Sequence, residues 1–308
     1  MKHIMLICVL IIWTSIGFSE TLIVDLAGGG DFTNIHDAVD DANSGDTVLV
    51  MSGIHIINAT AGTISVNQEL HLIGSGYDDP ESGGTKLQSS ANPLFDFTSA
   101  ADGSSLQGFK LSGSTRIDVA ADDMLIENNQ IVSGTQDWVI TFTSTSGDTL
   151  RNNYLGKSNS STYRYGVNIN ACSDFVASNN LFYNFGYYVY GLSCSGGTNV
   201  KISNNLFLNC RNALDSQNSS PDITNNIFMN GTSTQVNVSG GSPVISYNCF
   251  FNNSSDGNTG VSPILDDPEF VDFNATNTYG YLSYDDDQFD LHLAETSPCI
   301  NTGNPLID

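Results

Sequence analysis

The fold predicted for this chain is an all-β solenoid, a parallel β-helix of roughly nine coils, and three observations predict it. First, six segments end alike: residues 124–131 (MLIENNQI), 149–155 (TLRNNYL), 176–182 (VASNNLF), 201–207 (KISNNLF), 222–228 (DITNNIF) and 244–250 (VISYNCF). Their last asparagines, Asn129, Asn153, Asn180, Asn205, Asn226 and Asn248, follow one another at steps of 24, 27, 25, 21 and 22 residues. Second, the positions three before and two after this asparagine are apolar in every copy, from Ile126 and Ile131 to Ile245 and Phe250. The position two before it is polar in every copy (Glu127, Arg151, Ser178, Ser203, Thr224, Ser246), so the pattern alternates between a core-facing and an outward set. Third, most copies are preceded by another short strand with no hairpin spacing, which requires parallel strands wound as a coil.

The elements follow in chain order. Residues 1–19 carry Lys2 and His3, then an apolar run over 4–16 and small residues before Ser19. That is a secretory leader cleaved near Ser19, too short to span a bilayer. Residues 20–45 hold a short strand ended by glycines 28–30, then one amphipathic helix. Its apolar residues Ile35, Ala38, Val39 and Ala42 recur at helical spacing, with Thr33 as the N-cap and Gly45 past the end. A lone helix ahead of many strands suits a cap on the open end of a solenoid. Residues 46–261 form the β-helix. Its second strands are placed at 94–97, 116–119, 139–142, 167–169, 189–192 and 235–238, and the copy ending at Asn226 shows none. Residues 262–308 form an irregular C-terminal cap of the same domain. Within the coils the asparagines sit where the strand turns, and stacked at about 4.8 Å their amides are placed to bond to one another as a ladder.

Charge narrows the partners. The chain carries 9 Lys and Arg against 33 Asp and Glu, a formal net charge of -24. Nucleic acid and anionic membranes both demand a basic patch, so neither is an expected partner, and no membrane insertion is expected. A polyanionic sugar is disfavoured unless a divalent cation bridges the charges. Beyond the leader lie Cys172, Cys194, Cys210, Cys249 and Cys299, an odd number whose spacings match no zinc or redox motif. Cys172 and Cys194 lie about one coil apart, placed either to be bridged or to stack as buried free thiols.

Several stretches carry a family resemblance. They are residues 31–50 (DFTNIHDAVDDANSGDTVLV), 72–76 (LIGSG), the NN coils, 267–273 (DPEFVDF) and 290–305 (DLHLAETSPCINTGNP). Together they resemble the right-handed parallel β-helix repeat proteins of the pectate-lyase-like superfamily, in particular bacterial secreted members. The resemblance covers nearly the whole chain after the leader and implies a right-handed coil. It further implies that ligand-binding residues occupy the outward positions of one sheet, along a shallow groove across several coils. Lyases of this kind use Arg or Lys as base with aspartate-held calcium, and hydrolases use a set of aspartates with a His-containing glycine loop. This chain has no Gly-His-Gly, Asn-Thr-Asp, Arg-Ile-Lys or Trp-x-Asp-His, so no particular activity carries over.

The local candidates are few. Asp96 and Asp118 align as outward residues of adjacent coils, with Arg116 on the same face. Two such carboxylates suit calcium or paired acid and base work, and the alternative is a solvated surface ion pair. Glu127 and Arg151 align likewise as a ladder ion pair. Tyr163, Tyr165, Tyr187 and Tyr188 lie in loop-like stretches of the middle coils, where tyrosine rings stack on sugar rings. Asp285, Asp286 and Asp287 have the oxygen-rich composition of a calcium site. The expectation is a secreted or cell-surface monomer that interacts with a polysaccharide or cell-surface glycan without a recognisable catalytic motif. The alternative is a polysaccharide lyase or glycoside hydrolase of an unrecognised branch. No cofactor is required, and calcium is the one ion its carboxylates suit.

Overall fold

A computed structural model describes residues 19–77, 83–133, 138–157, 165–186, 190–273, 290–300 and 302–303. Apart from one seven-residue helix, the described chain is built of strands. Three parallel sheets run the length of the molecule, and the chain visits them in turn, once per coil. Sheet I has ten strands, from Thr21–Val24 to Val244–Ser246. Sheet II has nine, from Gly53–Ile57 to Cys249–Phe251, and sheet III nine, from Ile64–Val66 to Ser255–Gly257. This is the predicted all-β solenoid of about nine coils. Among the described residues no helix is long and apolar enough to cross a membrane.

The repeat motif spans the corner between sheets I and II, and its two asparagines do different work. The first of each pair takes left-handed backbone, at Asn128 (φ 55°), Asn152 (56°), Asn179 (55°), Asn204 (56°) and Asn225 (58°). Asparagine reaches that region at lower cost than most residues, because its short amide satisfies local backbone groups. Tyr247 holds the same position in the last copy, at φ 55°. The second asparagine points inward and is buried in every copy. Asn129 Nδ2 donates to Asn153 Oδ1 at 3.1 Å, Asn180 Nδ2 to Asn205 Oδ1 at 3.0 Å and Asn226 Nδ2 to Asn248 Oδ1 at 3.1 Å, so the ladder is made. A buried amide must be bonded, and stacking identical coils supplies each with an identical partner.

Both apolar columns face the core. Ile126, Leu150, Ala177, Ile202 and Ile223 are fully buried, and so are Ile131, Leu155, Phe182, Phe207 and Phe228. Phe182, Phe207, Phe228 and Phe250 stack ring on ring, with centroids 4.5, 5.0 and 5.0 Å apart. The polar column behaves as expected only in its first half. Ser203, Thr224 and Ser246 are buried, because the C-terminal segment passes over that corner, bringing Leu291, Leu293, Cys299 and Gly303 beside Asn204, Asn225 and Tyr247.

Two local expectations are corrected. The helix, Ile35–Asp41, is capped by Asn34 rather than Thr33: Asn34 Oδ1 accepts from the backbone N–H of Asp37 at 2.9 Å, one of the orphan donors a helix start leaves. The copy ending at Asn226 does have its second strand, Asn212–Gln217 (NALDSQ), paired in register on both sides. Its Asn, Ala, Asp and Gln are poor strand formers, and the flanking strands impose the conformation.

The C-terminal segment makes a second cluster outside the coil. Its strands Phe270–Asp272 and Asp290–Leu293 pair antiparallel. Phe270 and Phe273 pack on Tyr183, Leu208 and Met229, which are outward-facing residues of sheet II yet buried. Apolar outward residues in these late coils stand in the column that holds Gln88 and Ser112 in earlier ones, so this end of sheet II is built to be covered.

Candidate functional site

The outer face of sheet III carries the residues of chemical interest. Its central outward positions stack in register from Ser65 through Asp96, Asp118, Thr141, Asn168 and Ser193 to Asp215 and Asn237. Strands are spaced at about 4.8 Å, so these eight polar side chains form a stripe about 34 Å long. The period-2 alternation produces it: Ile117 and Val119 point into the core, and Asp118 between them must point out.

At the N-terminal end of the stripe, Asp96 and Asp118 are direct register partners one strand apart. Arg116 Nε donates to Asp118 Oδ1 at 2.7 Å, with both side chains partly exposed. Burial, then the Asp118 charge, push the Asp96 carboxyl above its ordinary range, while the Arg116 charge works the other way. Asp96 therefore holds its proton to higher pH than a free aspartate, the property a general acid needs. The structure thus brings together the three residues that the sequence aligned.

Towards the middle coils a second outward column runs beside the stripe. Trp138 and Tyr165 are register partners whose rings stack at 4.2 Å and 24°. Tyr190 follows in the next coil, its hydroxyl bonded to Asn237; burial first, then the Asp215 charge, raise its pKa. Asp215 is fully buried and accepts from Gln217 Nε2 and Asn237 Nδ2, each at 2.5 Å. The C-terminal end of the stripe is thus a closed hydrogen-bond network, and the N-terminal end is open to solvent. Sequence reasoning missed Asp215 because its strand was not recognised; the signal was the apolar pair Ala213 and Leu214 one coil after Leu192.

Of the predicted sugar-binding tyrosines, Tyr165 lies on this face, and Tyr163, Tyr187 and Tyr188 lie outside the described residues. So do Asp285, Asp286 and Asp287. Among the described residues no group of three or more His, Cys, Asp or Glu side chains is placed to hold a metal ion. Glu127 and Arg151 are register partners on sheet I, joined by a 2.5 Å Arg151 Nε to Glu127 Oε2 ion pair away from this face. It raises the Arg151 pKa and fastens two coils. Cys172 and Cys194 are free and separately partnered: Thr145 Oγ1 donates to Cys172 Sγ at 3.2 Å, and Cys194 Sγ lies 3.1 Å from Ser219 Oγ.

No protein-family model and no curated protein sequence matches the chain. Solved structures match its fold. The family 28 exopolygalacturonase of Yersinia enterocolitica superposes with a TM-score of 0.52 at 11% identity, covering 81% of this chain and 62% of its own. The chain therefore spans under two thirds of that enzyme's length. The polygalacturonase of Erwinia carotovora ssp. carotovora gives 0.49 at 10% identity, covering 80% of this chain and 94% of its own. Pectate lyase Pel9A gives 0.46 at 14% identity, covering 96% and 94%. The fold is the right-handed parallel β-helix, as the resemblance implied.

Proposed function

We propose that this protein binds a polysaccharide chain lengthwise along the outer face of sheet III, outside the cell after removal of residues 1–19. The observation that carries this reading is the stacked Trp138 and Tyr165 pair flanking an unbroken polar stripe. Aromatic rings cover the apolar faces of sugars, while their N–H and O–H tips, with Asn168 beside them, bond to sugar hydroxyls. The stripe's straightness and length suit an extended ligand rather than a compact one. Its charge selects the class: three aspartates against Arg116, on a chain of net charge -24, favour an uncharged polysaccharide over a polyanionic one. The polysaccharide enzymes that share the fold support the class of partner.

Hydrolysis at Asp96 and Asp118 is the second reading, favoured by the raised pKa of Asp96 beside a second carboxylate. In that reading Asp96 protonates the leaving oxygen, Asp118 acts on the sugar, and Arg116 holds Asp118 in place through its 2.7 Å contact.

Affinity electrophoresis against neutral and acidic polysaccharides tests the first reading, with Trp138→Ala and Tyr165→Ala as variants. The expected result is retention by at least one neutral polysaccharide, weakened about tenfold in each variant, for variants whose melting remains cooperative. Unchanged retention in both, or none with any glycan, overturns it. Release of reducing ends, lost in Asp96→Asn, establishes the second reading; binding without turnover eliminates it.

A further inference from the structure

Cys249 lies in Cys249–Phe251, the last strand of sheet II, in register with Ile227 and Leu206, so its side chain faces out from the coil. Cys299 lies on the C-terminal segment that covers this face. Both line one crevice, between Ile227, Ile264 and Phe270, where Cys249 Sγ donates to the Asp266 carbonyl at 3.4 Å. The other three buried cysteines have separate partners: Cys172 on Thr145, Cys194 on Ser219, and Cys210 on the carbonyls of Phe182 and Leu208. Among the described cysteines, Cys249 and Cys299 are the two that line one crevice together.

We propose that Cys249 and Cys299 form a disulfide when the chain meets a low-molecular-weight disulfide as oxidant, locking the C-terminal segment onto the last coil of sheet II. The groups are suited to their roles. Cys249 is pushed up by its interaction with Cys299 and by burial, whereas that same interaction pulls Cys299 down, against its own desolvation. Cys299 is also the partly exposed one of the two. It therefore attacks first, as thiolate, forming a mixed disulfide and expelling one small thiolate. Cys249 then gives up its proton to solvent, and its sulfur displaces the second small thiolate. Two protein thiols are oxidised and one small disulfide is reduced to two thiols.

The link would matter because the described residues that follow the coil are held by side-chain packing on sheet II, such as that of Phe270 and Phe273, and among the described residues only the two parallel bridges at Val261 and Ile264 continue the coil. A covalent tie between 249 and 299 spans this whole segment and limits its release.

The full chain, incubated with glutathione disulfide or with a reductant, quenched with N-ethylmaleimide and denatured, tests the proposal by thiol titre and peptide mapping. No Lys or Arg follows Arg211, so trypsin would leave both cysteines in one peptide, and pepsin is used instead. The expected result is a titre lower by two after oxidation and a linked peptide pair containing Cys249 and Cys299. Limited proteolysis within 265–303 should slow about tenfold. Cys249→Ser and Cys299→Ser should each prevent the two-thiol loss, while Cys172→Ser leaves it. An unchanged titre, a link joining Cys172 to Cys194 instead, or a glutathione adduct on Cys299 that Cys249 does not displace overturns the proposal. The titre and the map of the unmodified chain decide this even where a variant fails to fold.

Discussion

Asn153 and Asn180, 27 residues apart, meet through a single oxygen: Asn180 Oδ1 accepts from the backbone N–H of Asn153 at 3.0 Å and from its side-chain amide at 3.1 Å. Asn180 Nδ2 in turn donates to the carbonyl of Leu150 at 2.8 Å. One side chain thus satisfies three buried polar groups on the preceding coil, and its amide also donates to Asn205 Oδ1 on the next.

Asn180→Ala should therefore cost about 3–5 kcal/mol, since each buried group left without a partner loses about 1–3 kcal/mol. Urea unfolding followed by far-ultraviolet circular dichroism measures it. A loss below about 1 kcal/mol would mean that water replaces the ladder.

Asn152, the preceding asparagine of the adjacent copy, is exposed with φ 56°. Its role is conformational, so Asn152→Gly should leave stability nearly unchanged, and Asn152→Ala should lower it by about 1 kcal/mol. Equal losses in the two variants would point to the amide rather than the backbone.

Phe207 sits between two parallel rings, Phe182 at 4.5 Å and 6°, and Phe228 at 5.0 Å and 11°. Phe207→Ala should cost about 3–5 kcal/mol, as full truncation of a buried ring does, and Phe207→Leu under about 1.5 kcal/mol. Denaturant midpoints of the two variants separate cavity from stacking: a Leu variant as damaged as the Ala variant would assign the energy to the rings' stacking.

Asp148 is fully buried, accepting from Thr145 Oγ1 and, at 3.0 Å, from the backbone N–H of Met124. Burial pushes its pKa up to about 6, against these hydrogen bonds, with Asp122 and Asp123 adding to the rise. A carboxyl whose folded pKa exceeds its unfolded value contributes stability that is complete below about pH 4 and lost as pH rises through about 6. Relative to Asp148→Asn, the native chain should lose on the order of 2 kcal/mol between pH 4 and pH 7. A carbon-13 carboxyl titration should place its midpoint near 6; a midpoint near 4 would remove the premise.

The repeat was legible because both of its causes are local. Alternation at Ile126, Glu127 and the following asparagines is a property of one strand, and its recurrence each coil leaves only in-register stacking. The strand Asn212–Gln217 was not legible for the complementary reason: NALDSQ has little intrinsic preference for extended backbone, and Leu192 and Val236 on either side hold it there. The pairing of Asp96 with Asp118 could be read by alignment; the burial of Asp215 could not, since Gln217 and Asn237 reach it only across the folded face.

By itself the sequence determined the solenoid, its period, the inward and outward faces of each coil and the asparagine ladder, because a short repeat must satisfy the same hydrogen bonds and bury the same columns in every turn. Only the tertiary structure decided which outward face is covered and which is open. The C-terminal segment folds back over sheet II, where Tyr183, Leu208 and Cys249 are buried, and on sheet III the aromatic pair and the carboxylates Asp96 and Asp118 stay partly exposed. That choice depends on apolar contacts between residues far apart in the chain, such as Phe270 with sheet II, which no periodicity records.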